Sequence, residues 1–409
     1  MKSLLIIKKL LSRVVLKCYK LTLPIKKRRL RNKLKNNKGV DVLFVLNDLA
    51  KWKSEKLYLK MIEHPSFNPV LGVTYRPGGS KDEITLQRNT LIEYLNRKGY
   101  EYITLTNTYY PTPDIIIYSE PYRSSVPKSQ SVYKYFNSLF VSINYSSHTT
   151  HLDIDYFSTV HLWAWIDCYE SKDAIIDAYK YIGKKRKSIC LTGLPMIDQL
   201  LDKPTKDPWK RQSKPKKRII WAPHHSLGGF EGESIIYGTF LEYAEYMLQI
   251  AKIYEDKIQF AFKPHPLLKD KLVHLWGKEA ADKYYETWKN LSNGQLEIGE
   301  YHDLFATSDA LIHDCSSFIV EYHLSNKPSL FLINNIDNIL EDLNQFGRKA
   351  FFTQNLSHSK EDIKLFINAI LNGDDPNEVK RKEFLKNSIE GYPEGNASDK
   401  ILEMILTRI

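Results

Sequence analysis

The chain has 409 residues, 43% hydrophobic and 26% charged, a balance that fits a globular protein of two or three domains with a substantial core. It carries 59 Lys and Arg against 48 acidic residues, but 14 of the basic residues and none of the acidic ones lie in residues 1–38. The remainder holds 45 basic and 48 acidic residues, which excludes a generally basic, nucleic-acid-coating body.

Residues 4–21 have the pattern of an amphipathic helix. Lys2, Lys9, Arg13, Lys17 and Lys20 fall in one arc, with Leu4, Ile7, Leu11, Val14, Val15 and Cys18 opposite. A basic cluster follows from Lys26 to Lys38. This pattern points to a segment of residues 1–39 lying on an anionic membrane surface, with a solvated or partner-binding helix as the alternative. A secretory leader is disfavoured, because Lys8, Lys9 and Arg13 interrupt the apolar stretch and no small-residue cleavage site follows. No uncharged apolar run reaches the roughly 18–20 residues that a spanning helix needs. Cys18, Cys168, Cys190 and Cys315 have no CxxC spacing, so a reducing compartment is expected and a zinc site is not. The expected location is peripheral, at the cytoplasmic face of a cell membrane.

Strands then alternate with helices. Strands are expected at 41–47, 68–75, 102–106, 114–119, 139–145 and 187–193, with helices near 53–63 and 82–97 between them. Residues 40–201 thus read as one Rossmann-like domain. Residues 202–217 are rich in proline and lysine, lack apolar periodicity and read as a linker. A second α/β series occupies 218–409. It has strands at 218–223, 258–264, 309–314 and 329–333, and helices near 236–254, from Ser316 or Ser317, and at 361–371, 377–388 and 397–408. The last helix is the one that would pack back on the first domain. In such open parallel sheets ligands gather at the carboxyl ends of strands.

Three strand ends of the second half carry the chemistry. The stretch 308–317, SDALIHDCSS, ends a strand at His313 and Asp314 and enters a helix through Ser316 and Ser317. A helix start with two hydroxyls can hold a phosphate, and it can equally be a plain serine cap. The stretch 262–266, FKPHP, presents Lys263 and His265 between stiffening prolines, a pair able to meet a pyrophosphate oxygen; a lone histidine is also commonly structural. The stretch 221–229, WAPHHSLGG, offers His224, His225 and Ser226 before a glycine pair, or is a simple strand exit.

Taken together, these pieces resemble the CDP-glycerol glycerophosphotransferases, which build teichoic acids and related phosphopolyol or capsular polymers. SDALIHDCSS is similar to the family's S-D-x-L-I-T-D-Y-S-S, FKPHP to its basic-x-His-Pro loop, and WAP to its aromatic-Ala-Pro start. TGLPMIDQL at 192–200 resembles a T-G-x-P-x-x-D segment, and EGNAS at 394–398 a D-G-x-A-S segment. The resemblance implies an α/β, GT-B-like fold: two Rossmann-like domains facing a cleft, with a CDP-alditol donor held mainly by the C-terminal one. It implies donor-phosphate roles for His265, Asp314, Ser316 and Ser317. Lys263, His225, Ser226, Ser308, Gly193, Asn396 and Ser398 are further candidates for substrate binding, and His265, His224 and His148 are candidates for catalysis. The family's W-H-G-x-P-x-K motif is missing. The corresponding region is SINYSSHTTHLD at 142–153, which offers His148, His151 or Asp153 as a base.

The expected activity is therefore transfer of a polyol phosphate from a CDP-activated donor to a membrane-linked or soluble glycan hydroxyl, releasing CMP. No cofactor, metal or nucleic acid is expected; no D-x-D type carboxylate cluster is present to hold a metal. A GT-B glycosyltransferase using a nucleotide sugar, and a non-catalytic glycan-binding protein, are the alternatives.

Overall fold

The structure, a computed structural model, describes residues 2–78, 81–106, 112–120, 122–230 and 238–409, with the side chains of 2–10, 83, 123 and 154 outside that description. The chain divides into two compact units, Met1–Gln199 with Glu390–Ile409, and Leu200–Ile389.

The first unit is built on seven parallel strands: β1 (Val40–Leu46), β2 (Phe67–Val73), β3 (Tyr102–Thr104), β4 (Ile115–Tyr118), β5 (Leu139–Ile143), β6 (Ile166–Tyr169) and β7 (Ile189–Leu191), in the order β3-β2-β1-β4-β5-β6-β7. The second has six: β8 (Lys217–Ala222), β9 (Ile258–Phe262), β10 (Gly294–Leu296), β11 (Ala310–His313), β12 (Ser329–Leu332) and β13 (Asn355–Ser357), in the order β10-β9-β8-β11-β12-β13. Every pairing is parallel. Central strands such as β4, β9, β11 and β12 are buried along their whole length, which is why they read as unbroken apolar runs. Each sheet reverses its winding beside its first strand, between β1 and β4 and between β8 and β11. Such a switch point opens a crevice at the carboxyl ends of the two strands.

Residues 202–217 are not a free linker. Trp209 is buried against Ile220 and Ala222. Its indole N–H donates to Thr307 Oγ1 at 3.0 Å, Thr205 N–H donates to Asp303 at 2.8 Å, and Arg218 pairs with Asp207 at 2.7 Å. A proline- and lysine-rich stretch lacks periodicity, yet one tryptophan suffices to pin it to the second unit. The strands β6, β10 and β13 were not expected. β6 is four residues broken by the buried Asp167, and β10 and β13 are three-residue edge strands containing Gln295 and Asn355, too short and polar to show a pattern. The helix expected from Ile236 is described from Phe240 to Ile253; its first two expected residues lie outside the described residues.

The N-terminal segment is also more than an appendage. It forms one helix, α1 (Lys2–Lys35), that continues through Pro24. Tyr19 is fully buried, its ring 4.6 Å from Trp163 and 5.3 Å from Phe140, and its hydroxyl donates to Ser138 O at 3.3 Å. Leu30 is buried, and Val15, Leu16 and Leu23 pack against the same cluster. Part of the basic cluster is used internally. Asp114, whose side chain is fully buried, pairs with Arg29 at 2.7 Å and with Lys33. Lys26 lies 3.8 Å over the Tyr19 ring, and burial lowers its pKa to about 8. Removing the Tyr19 ring leaves a cavity in this core. Tyr19→Ala is therefore expected to destabilise the first unit by about 3–5 kcal/mol, read as an earlier denaturant midpoint. An unchanged midpoint would mean that α1 is not part of the folded unit.

Candidate functional site

The second unit's switch point gathers the loops that follow β8, β9 and β11. Two parallel-ladder bonds extend past the strand ends: Lys263 N–H donates to Trp221 O at 2.8 Å, and His265 N–H to Pro223 O at 3.0 Å. This register carries the FKPHP loop alongside the WAPHH loop. Three imidazoles result, with ring centroids 4.4 Å apart for His224 and His225, 4.2 Å for His225 and His265, and 5.0 Å for His224 and His265.

Asp314 ties the arrangement together. It is fully buried and accepts hydrogen bonds from His224 N–H (2.5 Å), Thr239 N–H (2.6 Å) and the Thr239 hydroxyl (2.8 Å). Burial raises its pKa to about 6 despite these donors. Both carboxylate oxygens are thus occupied by protein groups. Asp314 fixes the β8 loop to the start of helix Phe240–Ile253 rather than facing a ligand. Ser226 adds a second tie. Its Oγ lies 2.9 Å from His224 Nδ1 and accepts from Gly238 N–H at 3.1 Å. The approach at Gly238 requires glycine, since a Cβ there would lie 2.6 Å from Ser226 O. Sequence reading missed Thr239 and Gly238; neither belongs to a motif.

The cluster is electropositive. His224 is held neutral, its pKa pushed well below 6.5 by burial first and then by His265, His225 and Lys271. Lys271 donates to His225 O at 3.0 Å. It was also missed, its only sequence mark being a place one turn into the helix Leu268–Trp276 behind the HP loop. Lys263 turns elsewhere: its ammonium donates to Gly299 O at 2.7 Å and lies 5.5 Å from the Tyr301 ring.

The ligand atoms of the three histidines all lie within 4.8 Å of one another, a spacing that a metal ion could bridge. Their chemistry favours an anion instead. His265 Nδ1 accepts from Leu267 N–H at 3.1 Å, so the ring proton is assigned to Nε2, which is then a donor. Among the described residues the group consists of three imidazoles, with Lys271 donating to the His225 carbonyl beside it. Imidazole N–H donors next to a lysine ammonium suit a phosphate.

After β11, the serines do not behave as the sequence suggested. The helix there is short, Phe318–Glu321, and Ser317 is already in helical conformation with no capping bond. Its hydroxyl lies 3.3 Å from Cys315 Sγ. Ser316 and Ser317 are half-buried, so they present hydroxyls rather than a long helix dipole. Ser308 is internal, its hydroxyl 2.8 Å from Tyr322 OH and donating to Phe305 O at 3.0 Å. His313 is sealed in the core, hydrogen-bonded to Gln354 at 2.6 Å, with its pKa lowered to about 4 by burial.

Gly193, Asn396 and Ser398 all belong to the first unit. Asp198 accepts from Ala397 N–H (2.8 Å) and Ser398 N–H (2.7 Å), capping the helix Ala397–Arg408. Gly193 has φ +75°, and a Cβ there would lie 2.7 Å from Ala397 Cβ. The two motif-like segments at 192–200 and 394–398 thus interlock.

His148 stands at the carboxyl edge of the first unit's sheet. Its backbone N–H and its Nδ1 both face Glu170, at 2.6 and 2.7 Å, and its ring stacks on Tyr169 at 4.0 Å. Burial alone would lower its pKa, but the Glu170 carboxylate overrides this and raises it. Nε2 has no exposed surface.

The family model described as "CDP-Glycerol:Poly(glycerophosphate) glycerophosphotransferase" matches residues 170–407, more than half of the chain. The teichoic acid ribitol-phosphate polymerase TarL of Staphylococcus aureus (strain NCTC 8325 / PS 47) is 25% identical over 190 residues, covering 43% of this chain and 30% of that protein. The chain thus spans under a third of that relative's length in the match. Among solved structures, the wall teichoic acid polymerase TagF (H444N variant) is 14% identical with a TM-score of 0.53, covering 97% of each chain. A putative UDP-N-acetylglucosamine 2-epimerase from Listeria monocytogenes is 16% identical with a TM-score of 0.59, covering 90% of this chain and 96% of that one. At these identities the likeness shows the fold, a GT-B-like pair of parallel α/β units.

Proposed function

Because the chain belongs to the CDP-glycerol:poly(glycerophosphate) glycerophosphotransferase family, we propose that it moves glycerol phosphate, or a related polyol phosphate, from a CDP-activated donor to a hydroxyl of a glycan or polymer in cell-surface polymer synthesis. The acceptor oxygen forms a bond to the donor's polyol-bearing phosphorus, the pyrophosphate P–O bond breaks, and CMP leaves with the bridging oxygen. The observation that carries this reading is the Nε2–H donor of His265 in a cluster of three imidazoles beside Lys271. Such a donor stabilises the charge that develops on the leaving phosphate. Ser316, Ser317 and His225 are assigned to the same pyrophosphate, while Asp314, Ser226 and Thr239 hold the loops. Release of CMP from CDP-glycerol, CDP-ribitol and a panel of nucleotide sugars tests it. Turnover of a nucleotide sugar alone, or of nothing, overturns it.

In-line phosphoryl transfer puts the attacking and leaving oxygens on opposite sides of phosphorus. A histidine of this cluster serves the leaving group; in the first unit, His148 by itself has the local geometry of a general base. Glu170 holds its Nδ1–H, leaving Nε2 to accept the acceptor's proton, as a base oriented by a third group does. Acceptor binding has to uncover Nε2. Glu170 raises the His148 pKa, so CMP release is expected to rise with pH as His148 loses its proton. In Glu170→Gln that acid limb should move to lower pH, with a lower plateau because the ring is less well held. A limb that stays in place removes His148 from the reaction.

The reaction is further proposed to run on the cytoplasmic face of an anionic membrane, with residues 1–38 as the attachment. Supporting this are the 14 basic and zero acidic residues there. Among the described residues no helix is long and apolar enough to cross a membrane.

A further inference from the structure

The geometry points to His161 and Asp167 as positioning residues for His148, a role that rests on His148 being the base proposed above. They form a second buried imidazole–carboxylate dyad, set ring to ring beside His148 and Glu170.

The two dyads share one plan. His148 Nδ1 meets Glu170 Oε2 at 2.7 Å, and His161 Nδ1 meets Asp167 Oδ1 at 2.8 Å. All four residues are buried. The two rings lie 6.2 Å apart between centroids, inclined at 54°, within the range of an aromatic pair. Local structure places each member. Asp167 stands on β6 directly opposite Ser142 of β5, and Glu170 follows the last residue of β6. The short helix Thr159–Trp163 turns Val160 and Trp163 into the apolar cluster around Phe140. It leaves His161 beside Asp167 and Ser142.

Packing alone does not account for this second dyad. His161 Nε2 and Asp167 Oδ2 have no hydrogen-bond partner among the described residues. Buried polar atoms left in that state cost stability, and apolar side chains of similar volume often serve a core as well or better. What the dyad supplies is orientation and charge. With Nδ1 against a carboxylate, the His161 proton is assigned to that nitrogen, which fixes the ring beside His148. Tyr169 stacks on His148 at 4.0 Å, so His161 is a second ring against the base.

The carboxylates of this layer act on His148 in one direction. Burial alone would lower its pKa; Glu170 first, then Asp167 and Asp155, raise it. Asp155 accepts from the Thr150 hydroxyl at 2.7 Å and from Leu152 N–H at 3.2 Å, and burial raises its own pKa. Asp153 is engaged by the Tyr181 hydroxyl at 2.8 Å. Arg186 donates to Tyr156 O at 2.6 Å, and the Asp167 charge partly offsets the lowering of its pKa by burial. Asp167 therefore joins Glu170 in setting the pH above which His148 accepts a proton.

The test follows CMP release by the full chain against pH, with CDP-glycerol or CDP-ribitol as donor and a soluble glycerol-phosphate oligomer as acceptor, alongside urea midpoints. Asp167→Asn keeps an acceptor oxygen for His161 and removes the charge. Its acid limb should move down by about 0.5–1 pH unit, since a nearby carboxylate favours the imidazolium, and its plateau should fall about tenfold as the base loses its orientation. His161→Phe/Asp167→Leu replaces the dyad by apolar side chains; its limb should move the same way while its midpoint holds or rises. Limbs and plateaus like the wild type's in both variants, with His148→Ala inactive, overturn the positioning role and leave His148 as base. A rate that falls only in step with an earlier midpoint, the limb staying in place, makes the dyad structural and overturns the role as well. Wild-type release by His148→Ala overturns instead the reading of His148 as base.

Discussion

Replacing His265 with alanine is expected to lower CMP release from the CDP-activated donor by about 10²–10³-fold, the loss typical of one preorganised donor to a developing oxyanion. The argument rests on where the ring proton lies. Leu267 N–H donates to Nδ1 at 3.1 Å, which assigns the proton to Nε2. The two flanking prolines and the ladder bond from His265 N–H to Pro223 O hold the loop whatever the side chain. The variant should therefore keep its unfolding midpoint and lose turnover. His265→Asn, which retains an N–H donor, should recover part of the rate, whereas a merely structural histidine would show the reverse pattern, a shifted midpoint with release intact. Unchanged CMP release by His265→Ala would remove the histidine cluster from the reaction.

Asp314→Ala is expected to cost the second unit about 3–5 kcal/mol, because three buried donors, two backbone N–H groups and one hydroxyl, lose their acceptor together. A urea titration reads this as an earlier midpoint for the second unit. Asp314→Asn keeps one acceptor oxygen and should lose less. The pH dependence has a definite sign. Burial raises the Asp314 pKa from 3.8 in the unfolded chain to about 6 in the fold. The folded state thus binds the proton more tightly, and this contribution to stability is complete below about pH 4 and lost as pH rises through 6. The wild type's advantage over Asp314→Asn should widen as pH falls from 6 toward 4. An advantage that narrows over that range would show the carboxylate to be charged throughout. Donor turnover should fall with the fold in Asp314→Ala, since Asp314 sets the position of the loop that carries His224.

The residues of the histidine cluster were legible because their neighbours along the chain carry the pattern. FKPHP announced His265 through its prolines, and WAPHH announced His224 and His225 through the strand that ends there. Asp314 was legible as important but misread in kind. A carboxylate at a strand end resembles a ligand-facing group, and only the fold reveals that Thr239, 75 residues earlier, fills one of its oxygens. Lys263 was misread similarly, since a lysine next to a candidate histidine gives no hint that its ammonium is drawn to Gly299 O. Ser308, Gly193, Asn396 and Ser398 were grouped with the donor site on motif likeness. Ser308 instead forms part of the second unit's interior, and the other three form the junction around Asp198.

The amino-acid sequence by itself determined that this is a two-part α/β protein of parallel strands, because strands buried on both faces must be apolar throughout and leave unbroken runs. It determined the family, because the histidine, serine and aspartate motifs fall at successive strand ends. It also located the excess positive charge in the first 38 residues. Only the tertiary structure decided what these features do to one another. Register between β8 and β9 set three imidazoles side by side. Packing split the apolar residues of α1 into a buried face and an exposed one. The division follows from range: periodicity and local patterns are written within a few residues, whereas hydrogen-bond partners are set by chain segments 75 to 119 positions apart.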